Sequence, residues 1–268
     1  MLISLSIIVF LIILYFIFEW SWLIPSSGNV AILMYHKVTH SQNDSLSITI
    51  DYLRKQFDYI LSQEYKVVSF TQLMEIEASA KNLSGKYLVL TFDDGYKNNK
   101  DLLLPLLDEY GFCAAIFLTV GYIGKENVWD GGGEPLLSFE EIKMMSRLPN
   151  IEFGFHSYEH KAYSQMKADE IENDIAICKN IFQENKIPYI PVLAYPYGAY
   201  PKKDKKKKEN LFDILKKMGI RYALRIGNGM NVLSFNKPYE IKRINIRGSD
   251  SFLEFKVKLK KGHRKLFE

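Results

Sequence analysis

The chain alternates short apolar runs with longer stretches in which apolar residues recur every three to four positions. The short runs predict about eight strands, at residues 30–35, 65–70, 87–92, 113–120, 151–155, 190–195, 220–226 and 239–246. The longer stretches predict helices between them. Alternation sustained over roughly 230 residues favours an α/β fold, a distorted (β/α) barrel of about seven to eight parallel strands. A doubly wound open sheet is the alternative.

The N-terminus departs from this rhythm. Residues 2–18 carry no charge and are almost all apolar, and Trp20 and Trp22 follow shortly after them. Because about 17 to 23 apolar residues span a bilayer, residues 1–24 are predicted to form a transmembrane anchor. A cleaved signal peptide is the alternative, but the run is long for one and has no basic residues before it. Residues 25–29 would then link the anchor to a barrel over 30–268.

Composition limits the class of protein but does not identify a function. The 268 residues are 47% hydrophobic and 25% charged, which suits one large core and excludes a disordered or fibrous chain. The net charge is +4, and part of the excess lies in the lysine run at 202–208. Such a run is typical of a solvated face, and contact with an anionic surface is the alternative. No nucleic-acid partner is predicted.

Polar residues fall at the ends of the predicted strands. In a (β/α) barrel the carboxyl ends of the strands converge on one face, so residues distant in sequence meet there. The residues that follow or end a strand, or lie within the last one, are His36, Asp93, Asp94, His156, Tyr197 and Arg243.

Two short motifs carry candidate chemistry. If the strand alternation continued, Asp93 and Asp94 would point to opposite sides, but Gly95 permits a turn that brings both to one site. In a helical turn, the spacing of His156 and His160 would place both imidazoles on one face. Two imidazoles, a carboxylate and an open water position form a catalytic site for a Zn²⁺-type ion. Asp94 is the natural carboxylate ligand, which leaves Asp93 as a base. A solvated Asp-Asp-Gly turn is the alternative.

Four segments in this order resemble the polysaccharide deacetylase superfamily, carbohydrate esterase family four, over roughly residues 30 to 247. They are TFDDGY (91–96), LLLPLLDEYGFCAAIFL (102–118), HSYEH (156–160) and AYPYG (194–198). The resemblance implies a distorted barrel that hydrolyses acetyl groups on polysaccharides. It implies Asp93 as the general base and a divalent ion, Zn²⁺ or alternatively Co²⁺ or Ni²⁺, on Asp94, His156 and His160. It also implies that the backbone N–H of Tyr197 binds the oxyanion.

The chain departs from the commonest family pattern in two places. Ala194 precedes Tyr195 where an arginine is expected, and no histidine occurs between His160 and His263 to act as the usual catalytic acid. LMYHKV (33–38) and the end of the last strand resemble the branch that deacetylates poly-β-1,6-N-acetylglucosamine. That branch supplies the acid from the first strand, which implies His36. Arg243 is a candidate replacement for the missing arginine, with a plain barrel-rim arginine as the alternative.

The resemblance implies an extracytoplasmic, membrane-anchored N-deacetylase of a β-linked N-acetylglucosamine polymer, with an exopolysaccharide synthase or exporter as a candidate partner. Peptidoglycan or chitin-oligomer deacetylation is one alternative, and a non-catalytic carbohydrate-binding scaffold is another. Trp129, Tyr96 and Pro196 are predicted to contact substrate. For Trp129, a loop residue that merely covers the barrel edge is an equal alternative.

Overall fold

The structure is a computed structural model that describes residues 6–11, 29–42, 44–79 and 85–262. The predicted anchor (1–24) and linker (25–29) lie outside these ranges, except for residues 6–11, which are helical, and Asn29, which begins the first strand. Within the described ranges, no helix has the length and apolar character needed to cross a membrane.

Eleven strands occur in the described part of the chain. They are β1 (Asn29–Tyr35), β2 (Lys37–Thr39), β3 (Ser47–Thr49), β4 (Lys66–Val67), β5 (Tyr87–Phe92), β6 (Ala114–Leu118), β7 (Ile151–Phe155), β8 (Val192–Ala194), β9 (Tyr222–Ile226), β10 (Asn231–Val232) and β11 (Ile241–Asn245). Seven of them close a parallel barrel in the order β1, β5, β6, β7, β8, β9, β11 and back to β1. The predicted barrel is confirmed, and the open sheet is excluded because this ring closes.

Helices connect most of these strands. They are α1 (Ile50–Ser62), α2 (Phe70–Ser79), α3 (Leu104–Tyr110), α4 (Phe139–Met145), α5 (Ala168–Glu184), α6 (Lys205–Lys217) and α7 (Phe252–Lys261). A wide π-helical turn (Asn99–Leu103) leads into α3. Each helix follows a strand because a parallel sheet needs a crossover connection between neighbouring strands.

One predicted strand lies outside the barrel. The run at 65–70 contributes only β4, which pairs beside the start of β5. The barrel closes without it because β1 pairs directly with β5, from Val30 with Tyr87 to Tyr35 with Phe92. This long-range pairing is invisible in the hydrophobic pattern, which reports burial and not the identity of the partner strand.

Alternate residues of each barrel strand face two different cores. In β1, Ala31 and Leu33 pack towards the helices, whereas Val30 and Ile32 face the barrel interior. Phe117 fills much of that interior because Gly154 leaves room for it; a Cβ at Gly154 would lie 2.5 Å from the Phe117 ring. The interior positions therefore form stripes along the strands, and the stripes continue into polar residues at the carboxyl ends.

Candidate active site

Asp93 and Arg243 are the first polar pair, and they lie at the carboxyl ends of two of these interior stripes. Asp93 follows β5, and its backbone N–H donates to the Tyr35 carbonyl at 3.0 Å. Arg243 lies within β11, and its two terminal nitrogens donate to the two Asp93 oxygens at 2.6 and 2.7 Å. Both side chains are buried. Burial opposes ionisation of Asp93, but the Arg243 guanidinium outweighs it together with His156, so the pKa of Asp93 lies below its usual value.

The next carboxylate reaches the same site through a turn. Asp94 has φ 72° and Gly95 has φ 78°, both in the left-handed region. The turn predicted at Gly95 is confirmed, and Asp94 shares the left-handed conformation of the glycine. A non-glycine residue in this region is strained, and such strain is found where a site demands a particular orientation.

Two histidines complete the group, but not as a helical turn. His156 follows β7 directly, and the segment to His160 contains left-handed residues at Ser157 (φ 64°) and at His160 itself (φ 57°). The helical geometry predicted from the H-x-x-x-H spacing is wrong, because these two reversals form an irregular loop. The loop nevertheless brings the two ring centroids to 5.0 Å.

Asp94, His156 and His160 form a set of metal-ligand type. One ligand atom from each residue lies within 4.8 Å of the others. Asp94 Oδ1 is 3.4 Å from Nε2 of His156 and 3.1 Å from Nε2 of His160. That oxygen is buried, yet its geometry allows no hydrogen bond with any described residue. A buried carboxylate oxygen without a partner is costly, and a cation between these three atoms would satisfy it.

The state of His156 suits metal binding. Its Nδ1 lies 2.8 Å from the Ala194 carbonyl, so this nitrogen carries the proton and Nε2 directs its lone pair into the site. Burial lowers the pKa of His156 to about 4, so the ring is neutral at physiological pH. Two imidazoles and one carboxylate fit a Zn²⁺-type ion with an open coordination position.

A residue on α5 supports the loop that carries these histidines. The Asp174 carboxylate accepts hydrogen bonds from the Tyr158 backbone N–H at 2.8 Å and from the Tyr163 hydroxyl at 2.7 Å. Sequence reasoning missed Asp174. The sequence could have indicated it, because Asp174 is a single carboxylate beside Ile171 and Ile175 on the apolar face of a predicted helix. A charge at such a position is unfavourable unless it has a partner.

All these groups border one pocket of about 160 Å³. Its lining residues are Met34, His36, Leu46, Asp93, Asp94, Trp129, Asp130, His156, His160, Tyr197, Gly198, Ile226, Arg243 and Asn245. The four predicted catalytic residues, the three predicted metal ligands and Trp129 are therefore together. Asp130 and Asn245 were not predicted to belong to the site. Asn245 ends the last barrel strand, so the expectation that site residues lie at the carboxyl ends of strands applied to it as well.

Two predicted substrate contacts do not line the pocket. Tyr96 is fully buried, and its hydroxyl donates to Asp130 Oδ2 at 2.8 Å. Pro196 is also buried and begins the short turn that holds Tyr197. Both predictions rested on nearness in sequence to site residues. The chain reverses direction at Gly95 and at Tyr197, which places both side chains behind the pocket lining, and their contact with substrate stays a prediction.

The Trp129 ring covers one wall of the pocket. It stacks on the His160 ring with centroids 4.4 Å apart and an angle of 14°. Its indole nitrogen is buried and finds no hydrogen-bond partner in the described part of the chain. Trp129 therefore does more than cover the barrel edge, since it shields a candidate metal ligand and faces the pocket.

His36 and Tyr197 occupy other parts of the rim. His36 is half-buried between β1 and β2. Tyr197 has a left-handed backbone (φ 58°) and meets the His160 ring edge-on at 4.6 Å, while 62% of its surface stays exposed. The predicted roles, proton donation by His36 and oxyanion binding by the Tyr197 N–H, both concern groups of the substrate and stay predictions.

Comparison with known proteins identifies the family. The family model described as polysaccharide deacetylase matches residues 80–223, which is more than half of the chain. The chain belongs to the polysaccharide deacetylase family. This confirms the resemblance found in the motifs. The matched segment contains Asp93, Asp94, His156, His160 and Tyr197, whereas His36 and Arg243 lie outside it.

Individual polysaccharide deacetylases show how far the similarity extends. The chain is 26% identical over 173 residues to YxkH of Bacillus subtilis (strain 168), whose name assigns it to these enzymes; the match covers 65% of the chain and 58% of YxkH. It is 34% identical over 105 residues to the poly-beta-1,6-N-acetyl-D-glucosamine N-deacetylase of Escherichia coli (strain K12), covering 38% of the chain and 15% of that protein. The chain therefore spans less than two thirds of either relative.

A solved structure shares the fold. IcaB from Ammonifex degensii superposes with a TM-score of 0.72 at 21% identity, covering 87% of this chain and 97% of IcaB. At this identity the likeness concerns the barrel and its connections.

Proposed function

We propose that this protein hydrolyses N-acetyl groups of an extracytoplasmic β-linked N-acetylglucosamine polysaccharide, namely poly-β-1,6-N-acetylglucosamine. The observation that carries the proposal is the ion pair of Asp93 and Arg243 beside the ligand set of Asp94, His156 and His160 in one pocket. Family membership supports the reaction class. The choice of polymer is supported by the similarity to the Escherichia coli enzyme and by His36 at the end of the first strand.

Amide hydrolysis sets three requirements. The attacking water must lose a proton, the carbonyl oxygen must be stabilised as it becomes negative, and the departing nitrogen must gain a proton. A divalent ion, Zn²⁺ first and Co²⁺ or Ni²⁺ as alternatives, would be held by Asp94, His156 and His160 and would supply a more acidic water and a polarised acetyl carbonyl.

Asp93 takes the proton of the attacking water. Each of its oxygens accepts one hydrogen bond from Arg243 and keeps lone pairs free for a second partner. Oδ2 also lies 3.9 Å from Nε2 of His156, so the base borders the ligand set. The bidentate contact keeps Asp93 ionised and restricts its rotation, which are both properties that a general base needs.

His36 and Tyr197 meet the other two requirements. In the proposed reaction, the protonated His36 imidazole donates to the glucosamine nitrogen as the C–N bond breaks. The backbone N–H of Tyr197 donates to the oxyanion. Both residues line the same pocket as Asp93, so an acetamido group there would lie between them.

The test uses the purified full-length protein and short β-1,6-linked N-acetylglucosamine oligomers. We expect acetate release that a chelator abolishes and that Zn²⁺, Co²⁺ or Ni²⁺ restores. Asp93→Asn is the control, because it keeps the shape of the side chain and removes the base. Acetate release no greater than in this variant, with all three metals, would overturn the proposal.

Two alternatives are separated by the choice of substrate. β-1,4-linked chitin oligomers and peptidoglycan are assayed beside the β-1,6-linked oligomer, and preference for either one assigns the enzyme to that polymer. A non-catalytic scaffold would release acetate from none of them. The scaffold is disfavoured because the base, its arginine and three candidate ligands are all in place.

The proposed location follows from the apolar N-terminus. Residues 1–24 anchor the protein in the membrane, and the barrel acts outside the cytoplasm on polymer delivered by a synthase or exporter. The test is protease accessibility of the barrel in intact cells or spheroplasts. Protection of the barrel from added protease would contradict this location.

A further inference from the structure

A buried lysine lies behind the pocket lining, in contact with residues that line it, and has no part in the proposed reaction. Lys37 directly follows His36 and is 1% exposed. A lysine is rarely this buried unless its charge is paired. Its Nζ lies 2.6 Å from Asp44 Oδ2, 3.3 Å from Asp130 Oδ2 and 4.0 Å from Glu134 Oε1. One ammonium group thus joins three separate carboxylates.

The first of these contacts fixes the turn before β3. Asp44 Oδ1 accepts hydrogen bonds from the backbone N–H groups of Leu46 and Ser47, both at 2.8 Å. The Lys37 N–H donates to the Leu46 carbonyl at 3.2 Å. Because Leu46 lines the pocket, this contact holds the wall beside His36.

The second contact reaches the opposite wall. Asp130 follows Trp129, and three glycines follow Asp130 at Gly131–Gly133 with φ between 73° and 99°. Glycine backbone has wide conformational freedom, so side-chain contacts must hold this loop in one conformation. Asp130 provides part of them: it accepts from the Tyr96 hydroxyl and from the Asn127 amide, and it lies within ion-pair distance of Lys37.

The cation is needed for this arrangement to persist. Burial alone would lower the pKa of Lys37, but Asp44 and Asp130 together raise it above its usual value, so the lysine stays charged. Without that charge, Asp44, Asp130 and Glu134 would face one another with no cation between them. Like charges at short range repel, and the glycine-rich loop that carries Asp130 is the segment whose backbone can respond most readily.

We propose that Lys37 is a positioning residue of the active site. Its ammonium group holds Asp130, which fixes the neighbouring Trp129 ring against His160 and sets the width of the pocket between that ring and His36. The link to catalysis rests on the proposed function, whereas the link to the Trp129 ring does not.

The test is Lys37→Met, which keeps an unbranched side chain and removes the charge. We expect the Trp129 emission to shift to longer wavelength and to become more accessible to acrylamide, because the ring leaves the His160 stack. Trp20 and Trp22 also emit, so each variant is made again with Trp129→Phe and the difference is taken. With β-1,6-linked oligomers, KM should rise about 10-fold while kcat changes less than about threefold.

Two further variants separate positioning from general stability. Lys37→Arg keeps the charge and should retain most of the Trp129 signal and of the affinity. Lys258→Met is the matched control, because Lys258 is also buried and donates to Asp250 and to the Asn245 carbonyl. It should lower Tm by a similar amount and leave the Trp129 emission unchanged.

A folded Lys37→Met protein whose Trp129 emission matches that of Lys258→Met, and whose KM equals that of the unmodified protein, would overturn the proposal. If Lys37→Met does not fold, Asp130→Asn replaces it, since the amide keeps an acceptor for Tyr96 and loses the attraction to Lys37. An unshifted Trp129 emission in that variant overturns the proposal equally. Absence of acetate release in the unmodified protein counts against the proposed function, and the emission measurements still decide the role of Lys37.

Discussion

The two halves of the pocket are built in different ways. Arg243 lies within β11, whereas Asp93 and His156 directly follow β5 and β7, and their N–H groups still bond to the neighbouring strands. The places of all three therefore follow from the register of the sheet. Trp129 and Tyr197 lie on connections between strands, where no ladder of backbone hydrogen bonds sets their position. The strand-borne half inherits its geometry from the barrel, whereas the loop-borne half depends on isolated backbone hydrogen bonds and on a few side-chain contacts.

Backbone conformation marks the same division. Asp130, Ser157, His160 and Tyr197 all have φ between 47° and 64°, a region that costs a non-glycine residue about 1 kcal/mol or more. Such residues persist only where their surroundings hold them. Asp174 does so for the histidine loop, through the Tyr158 N–H. We therefore expect substitutions of strand-borne residues to change mainly the chemical step. Substitutions of loop-borne residues should change mainly the position of the pocket wall and the affinity for substrate.

The largest effect should come from breaking the strand-borne pair with Arg243→Met. Burial then acts on Asp93 without its counter-charge, so the pKa of Asp93 rises. A general base works only when ionised, so the acid limb of the kcat/KM profile should move to higher pH. Misplacement of the base should also lower kcat/KM about 100-fold. The measurement is a pH–rate profile.

Arg243→Lys is the control for this change. It keeps one positive charge but not the bidentate fork, so the limb should move less. An acid limb at the same pH in Arg243→Met and in the unmodified protein would show that Asp93 is not the base.

A middle effect is expected from Trp129→Ala in the loop-borne half. The stack on His160 is lost, and an aromatic contact of about 0.5–1.5 kcal/mol corresponds to a rise in KM of about twofold to 13-fold. The base and its arginine are untouched, so kcat should change little. Steady-state kinetics check this, with Trp129→Phe as a variant that retains a ring. A fall in kcat at constant KM would place Trp129 in the chemistry.

The smallest effect should come from Tyr96→Phe, which removes one hydroxyl from the support of the same loop. The lost hydrogen bond to Asp130 should lower stability by about 1–2 kcal/mol and raise KM only slightly. Tyr110→Phe is the matched control, since the Tyr110 hydroxyl donates to Asp58 at 2.6 Å on an exposed surface away from the pocket. Thermal unfolding and KM are measured for both. An equal KM in the two variants would remove Tyr96 from the loop's support.

Local patterns predicted the elements well. All eight predicted runs contain a strand, and a capping box formed by Ser138 and Glu141 begins α4. Such features depend on residues within a few positions of one another. The pairing of β1 with β5 and the reduction of the 65–70 run to β4 depend on contacts across the chain, so the pattern could not show them.

The site was predicted where strand ends and motif spacing pointed to it. Asp94, His156 and His160 do lie together, although a loop and not a helix joins the two histidines. Tyr96 and Pro196 are close in sequence to site residues but lie outside the pocket lining, because the backbone turns at these places. Lys37 was overlooked since a lysine after a strand usually points into solvent.

The sequence by itself determined which segments become strands, which polar residues end them and which family the chain belongs to. These properties rest on periodicity, turn residues and short motifs, and all three are local. Only the tertiary structure decided that Arg243 forms an ion pair with Asp93, 150 residues before it in the chain. It also decided that Lys37 contacts carboxylates on both sides of the pocket. Such contacts arise when the barrel closes and left-handed turns redirect the chain, so no local pattern contains them.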